Sequence, residues 1–454
     1  MKNMIAFAAL ALLSAPAMAE ESVSLSGAVR KTLGHSYDLK SRSAMVDQAR
    51  AVLRRADAMA LPGFQFRSEL TEGDDPVYVF GSLLRQSKFG MSDFALDKLN
   101  TPDAHANFSN SVEMNVPLFT GYRIRDYKRL GGAAVAQGEA ALGFAGSASA
   151  FETVQKYLVF SLKNELARLA GEAARLTSVE LETADRLKAR GLVLGSDYYA
   201  ARAILGSLNS ARTGFEKDAR AAQASLLVMM GVESGARLSL AGGLARHVYQ
   251  LPPEAELLSG LEARRGDIAA AKLQADAAAI ARGIEENSSL PQIGVFASLN
   301  SNTGNFSTNP IRQIAGVGLT LPFGDFTRSA RVQEKEAARR QAENAALALR
   351  DGVAAQVAQY YRDYEGALAV LPQAEEAVAD AERSLELFKP LFRQGRQSVL
   401  EVARAEAALM NARAARAEVI FKLHSIYAAL MFVSGRLDWA AVEGVSAALS
   451  GDKK

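Results

Sequence analysis

Few side chains in this sequence are spaced for catalysis or for metal binding. The four histidines are His35, His105, His247 and His424. None of them has a second histidine four residues away with which it could hold a metal on one helix face. Neighbouring carboxylates such as Glu285 and Glu286 lie in charged helical patterns and are read as solvated surface. No nucleophile motif, phosphate loop or cofactor fingerprint occurs, so the sequence predicts no enzyme, no metal site and no cofactor.

Two glycine breaks in long alanine-rich helical patterns carry the side chains best placed to meet another molecule. The first break reads Arg190-Gly191-Leu192-Val193-Leu194-Gly195-Ser196-Asp197, and the second reads Gln394-Gly395-Arg396-Gln397-Ser398-Val399-Leu400-Glu401. The two match each other, because Ala201-Arg202-Ala203 falls 202 residues before Ala403-Arg404-Ala405. A glycine that only permits a tight reversal explains each break, and it is compatible with a binding role.

Each break belongs to one half of a repeated unit. Leu61-Pro62 and Val116-Pro117 bound two alternating segments in the first half, and Leu290-Pro291 and Leu321-Pro322 bound two in the second. Apolar residues alternate there with polar or small ones, which is typical of strands with one apolar and one polar face. A soluble sandwich competes poorly, since four strands are too few to build a core beside this much helix.

Four strands per chain cannot close a membrane barrel, which needs at least about eight. A barrel would have to be shared, and three chains would supply twelve strands. The prolines that bound the first hairpin are 55 residues apart and those of the second are 31 apart, so the first loop is 24 residues longer. Its aromatic residues, among them Tyr78 and Phe94, predict that this loop is partly folded. Candidates for an aromatic belt at the bilayer edges are Phe64, Phe66, Phe108, Phe119, Phe323 and Phe326.

Long helices are expected beside both hairpins. The apolar spacing predicts helices over 126–190 and 329–394, the second with two internal prolines, and a heptad seam in the last helix. One helix is predicted from Ser24 to Met59, ended by Leu61-Pro62-Gly63. Alanine on more than one helix face lets neighbours pack closely on both sides, as a wall of helices requires.

Composition excludes several classes of protein. The formal charge of +2, from 52 basic and 50 acidic residues, argues against a nucleic-acid binder. Without cysteine the chain forms no disulfide and carries no lipid on an N-terminal cysteine. Lys2, the apolar run from Ile5 to Leu13 and Ala17-Met18-Ala19 predict a secretory signal peptide over residues 1–19. No later segment has 18 continuous apolar residues, so membrane-crossing helices are not expected.

With these elements in this order, the chain resembles the TolC-type outer-membrane efflux protein family from about residue 24 to 436. The duplication, the hairpins and the two glycine tips carry the resemblance. It implies a mixed α and β membrane protein whose four strands join a shared trimeric twelve-stranded outer-membrane β-barrel, continued by a long α-helical coiled-coil tunnel in the periplasm. The domains expected are the signal peptide 1–19, a first repeat 20–236 with hairpin 61–120 and tip near 191, a second repeat 237–440 with hairpin 290–323 and tip near 395, and a flexible tail 441–454.

The resemblance also implies a function and partners. It implies an outer-membrane exit duct of a tripartite efflux pump or a type I secretion system, passively conducting cargo that the pump selects. The expected partners are two further copies in a homotrimer, a periplasmic adaptor (membrane fusion) protein, an inner-membrane pump and outer-membrane lipid, with no nucleic acid. The alternative is a periplasmic helical scaffold or adaptor without a pore, which would need neither the alternating strands nor the long aromatic loop.

By the same resemblance, the turns that dock on the adaptor are Gly191-Leu192 and Gly395-Arg396. The family narrows its entrance with acidic rings just after the second tip, and the matching positions are Glu401 and Arg404. Three copies of Glu401 would attract cations. Arg404 departs from the pattern, and its spacing of three residues allows it to pair with Glu401. Two charges on a solvated helix face remain the alternative interpretation.

A polar link near the tips holds the closed entrance of the family. Asp197 matches the acid of that link, while Phe392 and Gln397 stand where the family can have a tyrosine and an arginine. Phenylalanine lacks the hydroxyl group and glutamine lacks the charge. The latch expected in this chain is therefore weaker or different.

Overall fold

The computed structural model of the chain describes residues 21–308 and 310–451. The signal peptide predicted over residues 1–19 lies outside these ranges. The α-helices are α1 (Leu25–His35), α2 (Tyr37–Ala58), α3 (Pro76–Arg85), α4 (Leu96–Asn100), α5 (Arg123–Lys188), α6 (Gly195–Met229), α7 (Glu254–Leu258), α8 (Leu261–Arg264), α9 (Gly266–Glu286), α10 (Arg328–Arg393), α11 (Val399–Val433) and α12 (Trp439–Ser450). The strands are β1 (Glu21–Val23), β2 (Gly63–Gly73), β3 (His105–Thr120), β4 (Leu238–Leu240), β5 (Gln292–Thr303) and β6 (Ile311–Thr320).

The two halves of the chain repeat the same helix lengths. Helices α5 and α10 each contain 66 residues, and α6 and α11 each contain 35. Pro372 and Pro390 lie inside α10 without ending it. None of the helices in the described ranges combines the length and the apolar character that crossing a membrane requires.

The N-terminal helix differs from its prediction. The single helix expected from Ser24 to Met59 is divided at Ser36, which has non-helical backbone angles and accepts a hydrogen bond from the Leu39 amide on its own hydroxyl. Ser24 caps the first part by accepting from the Gly27 amide at 3.2 Å. Serine side chains compete in this way with the backbone bonds of a continuous helix.

The chain forms two compact units, and each takes segments from both halves. The first unit comprises residues 21–43, 140–269 and 347–451, and the second comprises 44–139 and 270–346. The boundaries fall inside α2, α5, α9 and α10. The core of the first unit includes Val154, Tyr157, Leu158, Leu226, Leu257, Val357, Leu371, Leu423 and Leu430.

A network of buried hydrogen bonds lies in this core. His424, fully buried on α11, lies with Nδ1 2.6 Å from the Tyr249 hydroxyl and Nε2 2.9 Å from the Ala245 carbonyl. The carbonyl can only accept, so Nε2 carries the proton and the tyrosine hydroxyl donates to Nδ1. The Tyr364 hydroxyl accepts from the Tyr249 amide at 2.7 Å and donates to the Tyr249 carbonyl at 3.0 Å. Burial lowers the pKa of His424 to about 4.

Residues 441–450 are helical, which corrects the expectation of a flexible tail for this part of 441–454. Residues up to Ser450 form α12, capped by Asp438, whose carboxylate accepts from the Ala441 amide at 2.8 Å. Its apolar stripe joins the core of the first unit through Val442, Val445, Ala448 and Leu449. A short parallel pair of β1 and β4, which the sequence did not reveal, lies in the same unit.

The second unit contains one antiparallel sheet in the order β2-β3-β5-β6. These strands coincide with the four segments in which apolar residues alternate with polar or small ones. Pairing keeps the apolar positions on one face, since Val112 lies opposite Leu299 and Val295 opposite Val317. The strands at the two edges, β2 and β6, are exposed along nearly their whole length.

The long loop between β2 and β3 is partly folded. It contains α3, a 3₁₀ turn over Met91–Phe94 and α4. Phe89 contacts Phe80 and Phe94 edge to face, with ring centroids 4.8 and 5.0 Å apart. Gln86 donates to the Ala106 carbonyl and the Asn107 side chain, which fixes the loop to the base of β3. The aromatic residues therefore hold the loop as its composition indicated.

We predict that His424 makes the stability of the chain depend on pH. Because the pKa is lowered in the fold, the stabilisation is complete above the ordinary value of 6.5 and is lost as the pH falls towards 4. The loss should be about 3 kcal/mol. Thermal unfolding followed by circular dichroism should show this slope, and His424→Gln should flatten it. A slope that persists in His424→Gln would contradict the assignment.

We predict that α12 contributes to stability through one face only. Val445 is fully buried and its neighbour Gly444 is exposed. Val445→Asn places an amide in an apolar site and should cost about 3 kcal/mol. Gly444→Asn introduces the same side chain on the open face and should change the unfolding midpoint little. Equal midpoints for the two variants would show that the helix is not packed.

Candidate functional site: the helical hairpin tips

The two glycine breaks are helix ends of the same geometry. At the end of α5, the Leu192 amide donates to the Leu187 carbonyl at 3.0 Å and the Gly191 amide to the Lys188 carbonyl at 2.9 Å. At the end of α10, the Arg396 amide donates to the Leu391 carbonyl and the Gly395 amide to the Phe392 carbonyl, at 2.9 Å each. This is the Schellman arrangement, in which the residue after the helix adopts a left-handed conformation.

Backbone conformation, and not space, requires glycine at both turns. Gly191 has φ +72° and Gly395 has φ +69°, and nothing lies within 4 Å of the position that a Cβ would occupy at either residue. A side chain would therefore meet no clash there but would be strained by the backbone angle. The open space also means that both turns present their surface to solvent. Leu192 and Leu194 are each 70% exposed beside the first turn.

A hydrogen bond joins the two tips. The Ser398 hydroxyl donates to Asp197 Oδ2 at 2.6 Å, and it also accepts from the Leu400 amide at 3.1 Å as the cap of α11. Asp197 lies in the first turn of α6, where a carboxylate is favoured by the helix dipole. Ser398 thus caps α11 and also binds Asp197 on α6. Asp197 was predicted from the sequence, but its partner Ser398 was not.

Glu401 and Arg404 form the ion pair that their spacing allows. Arg404 Nη1 lies 2.8 Å from Glu401 Oε1. The Arg404 side chain is 60% exposed and that of Glu401 is 35% exposed. The pair is therefore screened by solvent and holds the two charges in place more than it stabilises the fold.

Two other predicted residues are placed differently. Phe392 is buried in the core of the hairpins, in one cluster with Val399 and Val402. It therefore contributes packing and does not face solvent. Gln397 is partly buried next to the Gly395 turn, and within the described residues it makes no hydrogen bond to Asp197. The structure thus brings Asp197 to Ser398 and Glu401 to Arg404, and it places Phe392 in the apolar cluster.

Ion pairs between helices stabilise the hairpins behind the tips. Lys389 on α10 lies 2.6 Å from the buried Glu406 on α11, and Arg393 on α10 lies 3.3 Å from Glu180 on α5. Lys188 stands over the ring of Tyr198 at 3.8 Å. Sequence analysis missed these contacts because each joins residues of different helices. No local spacing in the sequence signals them.

A sequence comparison relates part of the chain to a known family. The model of the family described as outer membrane efflux protein matches residues 257–436, which includes the second tip. Over these residues, which make up less than half of the chain, the sequence is similar to that family. The TolC-type resemblance of the sequence is thereby confirmed. No curated protein matches the chain by sequence.

Solved channels of this type share the fold over almost the whole chain. CusC matches with a TM-score of 0.78 at 16% identity, covering 91% of this chain and 92% of its own. CmeC of Campylobacter jejuni matches with 0.77 at 15%, covering 94% and 89%. VceC of Vibrio cholerae matches with 0.75 at 17%, covering 90% and 96%. The predicted fold class, with helices and a small set of strands in one chain, is confirmed.

Among residues 21–308 and 310–451, no group of three or more acidic or histidine side chains could hold a metal ion. The charges at the tips are instead engaged in pairs or exposed to solvent. The chemistry that this site offers is therefore recognition and electrostatics.

We predict that Asp197 and Ser398 are energetically coupled. Asp197→Ala and Ser398→Ala should each speed hydrogen exchange of the amides that follow the two turns, because each removes the bond between the tips. In the double variant the combined loss should fall short of the sum by about 1 kcal/mol. Ser196→Ala, which removes only a 3.3 Å contact to the other carboxylate oxygen, is the control. Simple additivity would mean that the bond does not hold the tips together.

Proposed function

We propose that this chain is the outer-membrane exit duct of a tripartite efflux pump or a type I secretion system, and that it conducts its cargo passively. The observation that carries the proposal is the family match combined with the fold of solved channels over about nine tenths of the chain. An adaptor without a pore is the weaker alternative, because it would not need the four-stranded sheet.

The sheet supports assembly from several copies. Its edge strands expose large apolar side chains, with Phe64 72% and Val317 68% exposed. Their outer edges carry no partner strand among the described residues. In our proposal three copies pair β6 of one chain with β2 of the next, which closes a barrel of twelve strands in the outer membrane. The prolines and the repeated helix lengths support two structural repeats, 20–236 and 237–440.

The tips provide the entrance and the docking surface in this proposal. Gly191, Leu192, Gly395 and Arg396 form exposed turns that a helical hairpin of a periplasmic adaptor protein would contact. The exposed leucines offer apolar anchors, and the arginines offer a polar rim. Asp197, Glu401 and Arg404 lie one to three turns behind them, where three copies would surround the narrow end of the tunnel. An inner-membrane pump would supply the energy.

Membrane fractionation and conductance test the proposal. The full chain should sediment with the outer membrane and form ion channels in a planar bilayer. Glu401→Ala and Arg404→Ala should change single-channel conductance or ion preference, because each removes one charge of the proposed ring. Arg383→Ala and Glu386→Ala are matched controls, since these two residues also lie three apart but on α10 and are more than 70% exposed.

Recovery of the chain in the soluble periplasm would refute the channel. Channels whose conductance and ion preference are the same in Glu401→Ala, Arg404→Ala and the wild type would refute only the entrance ring. The two results are separable, because the first concerns location and the second concerns a chain already in the bilayer.

A further inference from the structure

Several basic side chains lie at the two tips. Residues 186–204 and 389–406 contain eight basic and three acidic side chains, against 52 and 50 in the full sequence. The basic residues are Arg186, Lys188, Arg190, Arg202, Lys389, Arg393, Arg396 and Arg404. Lys188 and Arg393 pair with acids just outside these segments, Asp185 and Glu180, so the charge that remains belongs to the arginines without such a partner.

All three acids of these segments already have partners. Asp197 accepts a hydrogen bond from Ser398, and Glu401 is paired with Arg404. Glu406 is 2% exposed and lies 2.6 Å from Lys389. None of the three pairs with Arg202.

Arg202 and Arg404 occupy equivalent positions on two adjacent helices. The preceding residues, Ala201 on α6 and Ala403 on α11, are both buried in the same apolar cluster. The hydrogen bond between Asp197 and Ser398 holds the starts of these helices side by side. The two arginines therefore lie at a similar distance from the tips, and both side chains are exposed.

The surroundings of the two arginines differ in one residue. Three positions before Arg404 stands Glu401, which pairs with it. The equivalent position before Arg202 is Tyr199, which cannot form an ion pair. Within the described ranges, Arg202 has no carboxylate partner within 4 Å. Unlike that of Arg404, its charge is therefore not compensated by a neighbouring carboxylate.

We propose that Arg202, together with the partly neutralised Arg404, makes the entrance of this duct prefer anions and thus favours negatively charged cargo. This inference depends on the proposed function, since only a closed assembly places three copies of each arginine around one path. Rings of arginine or lysine select anions in narrow pores. A low-dielectric wall concentrates their potential along the axis. Arg202 lies beyond the turn on the flank of α6, away from Gly191 and its docking surface.

Reversal potentials in planar bilayers test this proposal with the full-length chain. A gradient of potassium chloride near 0.1 M keeps the screening length at about 10 Å. The electrostatic potential of a ring of charges then extends across a narrow entrance. The wild type should show a reversal potential of the sign that chloride preference gives. Arg202→Gln should move it towards zero. Glu401→Gln, which releases Arg404 from its partner, should move it further in the chloride direction.

Arg220→Gln is the matched control. Arg220 is an exposed arginine on the same helix, 18 residues or five whole turns further, so it projects from the same side about 27 Å away. It should shift the reversal potential little, because selectivity arises at the narrow end. A cation preference in the wild type, or equal shifts in Arg202→Gln and Arg220→Gln, would overturn the inference and leave the duct intact. Absence of any channel would refute the proposed function and this inference with it.

Discussion

The outer edges of β2 and β6 impose the constraint on which the proposed assembly depends. Each of these strands has one neighbour in the described chain, so one row of backbone donors and acceptors is left without a strand partner. Both strands also expose apolar side chains. Unpaired backbone groups are costly in an apolar environment, which makes an isolated copy a poor membrane protein. Pairing β6 of one copy with β2 of the next removes this cost, and in the proposed trimer the third copy closes the ring.

The tips show how two helix ends of the same backbone geometry acquire different functions. Gly191 and Gly395 adopt the same left-handed conformation and the same pair of terminal hydrogen bonds. Their surroundings differ, because α11 begins with Ser398 as a side-chain cap whereas Leu194 gives α6 none. The Ser398 hydroxyl that caps one helix also binds Asp197 on the other. Any opening movement of one tip relative to the other would therefore first have to break this bond.

Local sequence patterns predicted the helices and strands, but they did not predict contacts between residues far apart in the sequence. Alternation located the strands, and the glycine breaks located the hairpin turns, because both depend on neighbouring residues. The pairing of β1 with β4 joins positions 217 residues apart, and no local pattern encodes it. Helix α12 was not predicted, because its apolar stripe is short. Its apolar residues are buried only by packing on a core that other segments form. At the site, the pair of Glu401 and Arg404 followed from helix spacing, whereas the bond from Ser398 to Asp197 required knowing which helices are adjacent.

A duplicated chain can change its charge pattern in one half without changing its fold. Ala201 and Ala403 keep the same buried contacts, so the packing of α6 against α11 is independent of what the next residues carry. Arg202 and Arg404 are exposed, and their replacement would disturb little packing. In a threefold assembly a substitution in one half appears three times, not six, so Glu401 offsets only alternate arginines of the entrance. The ion preference of the proposed duct thus depends on which half carries an acidic residue. Both halves still supply helices of the same length.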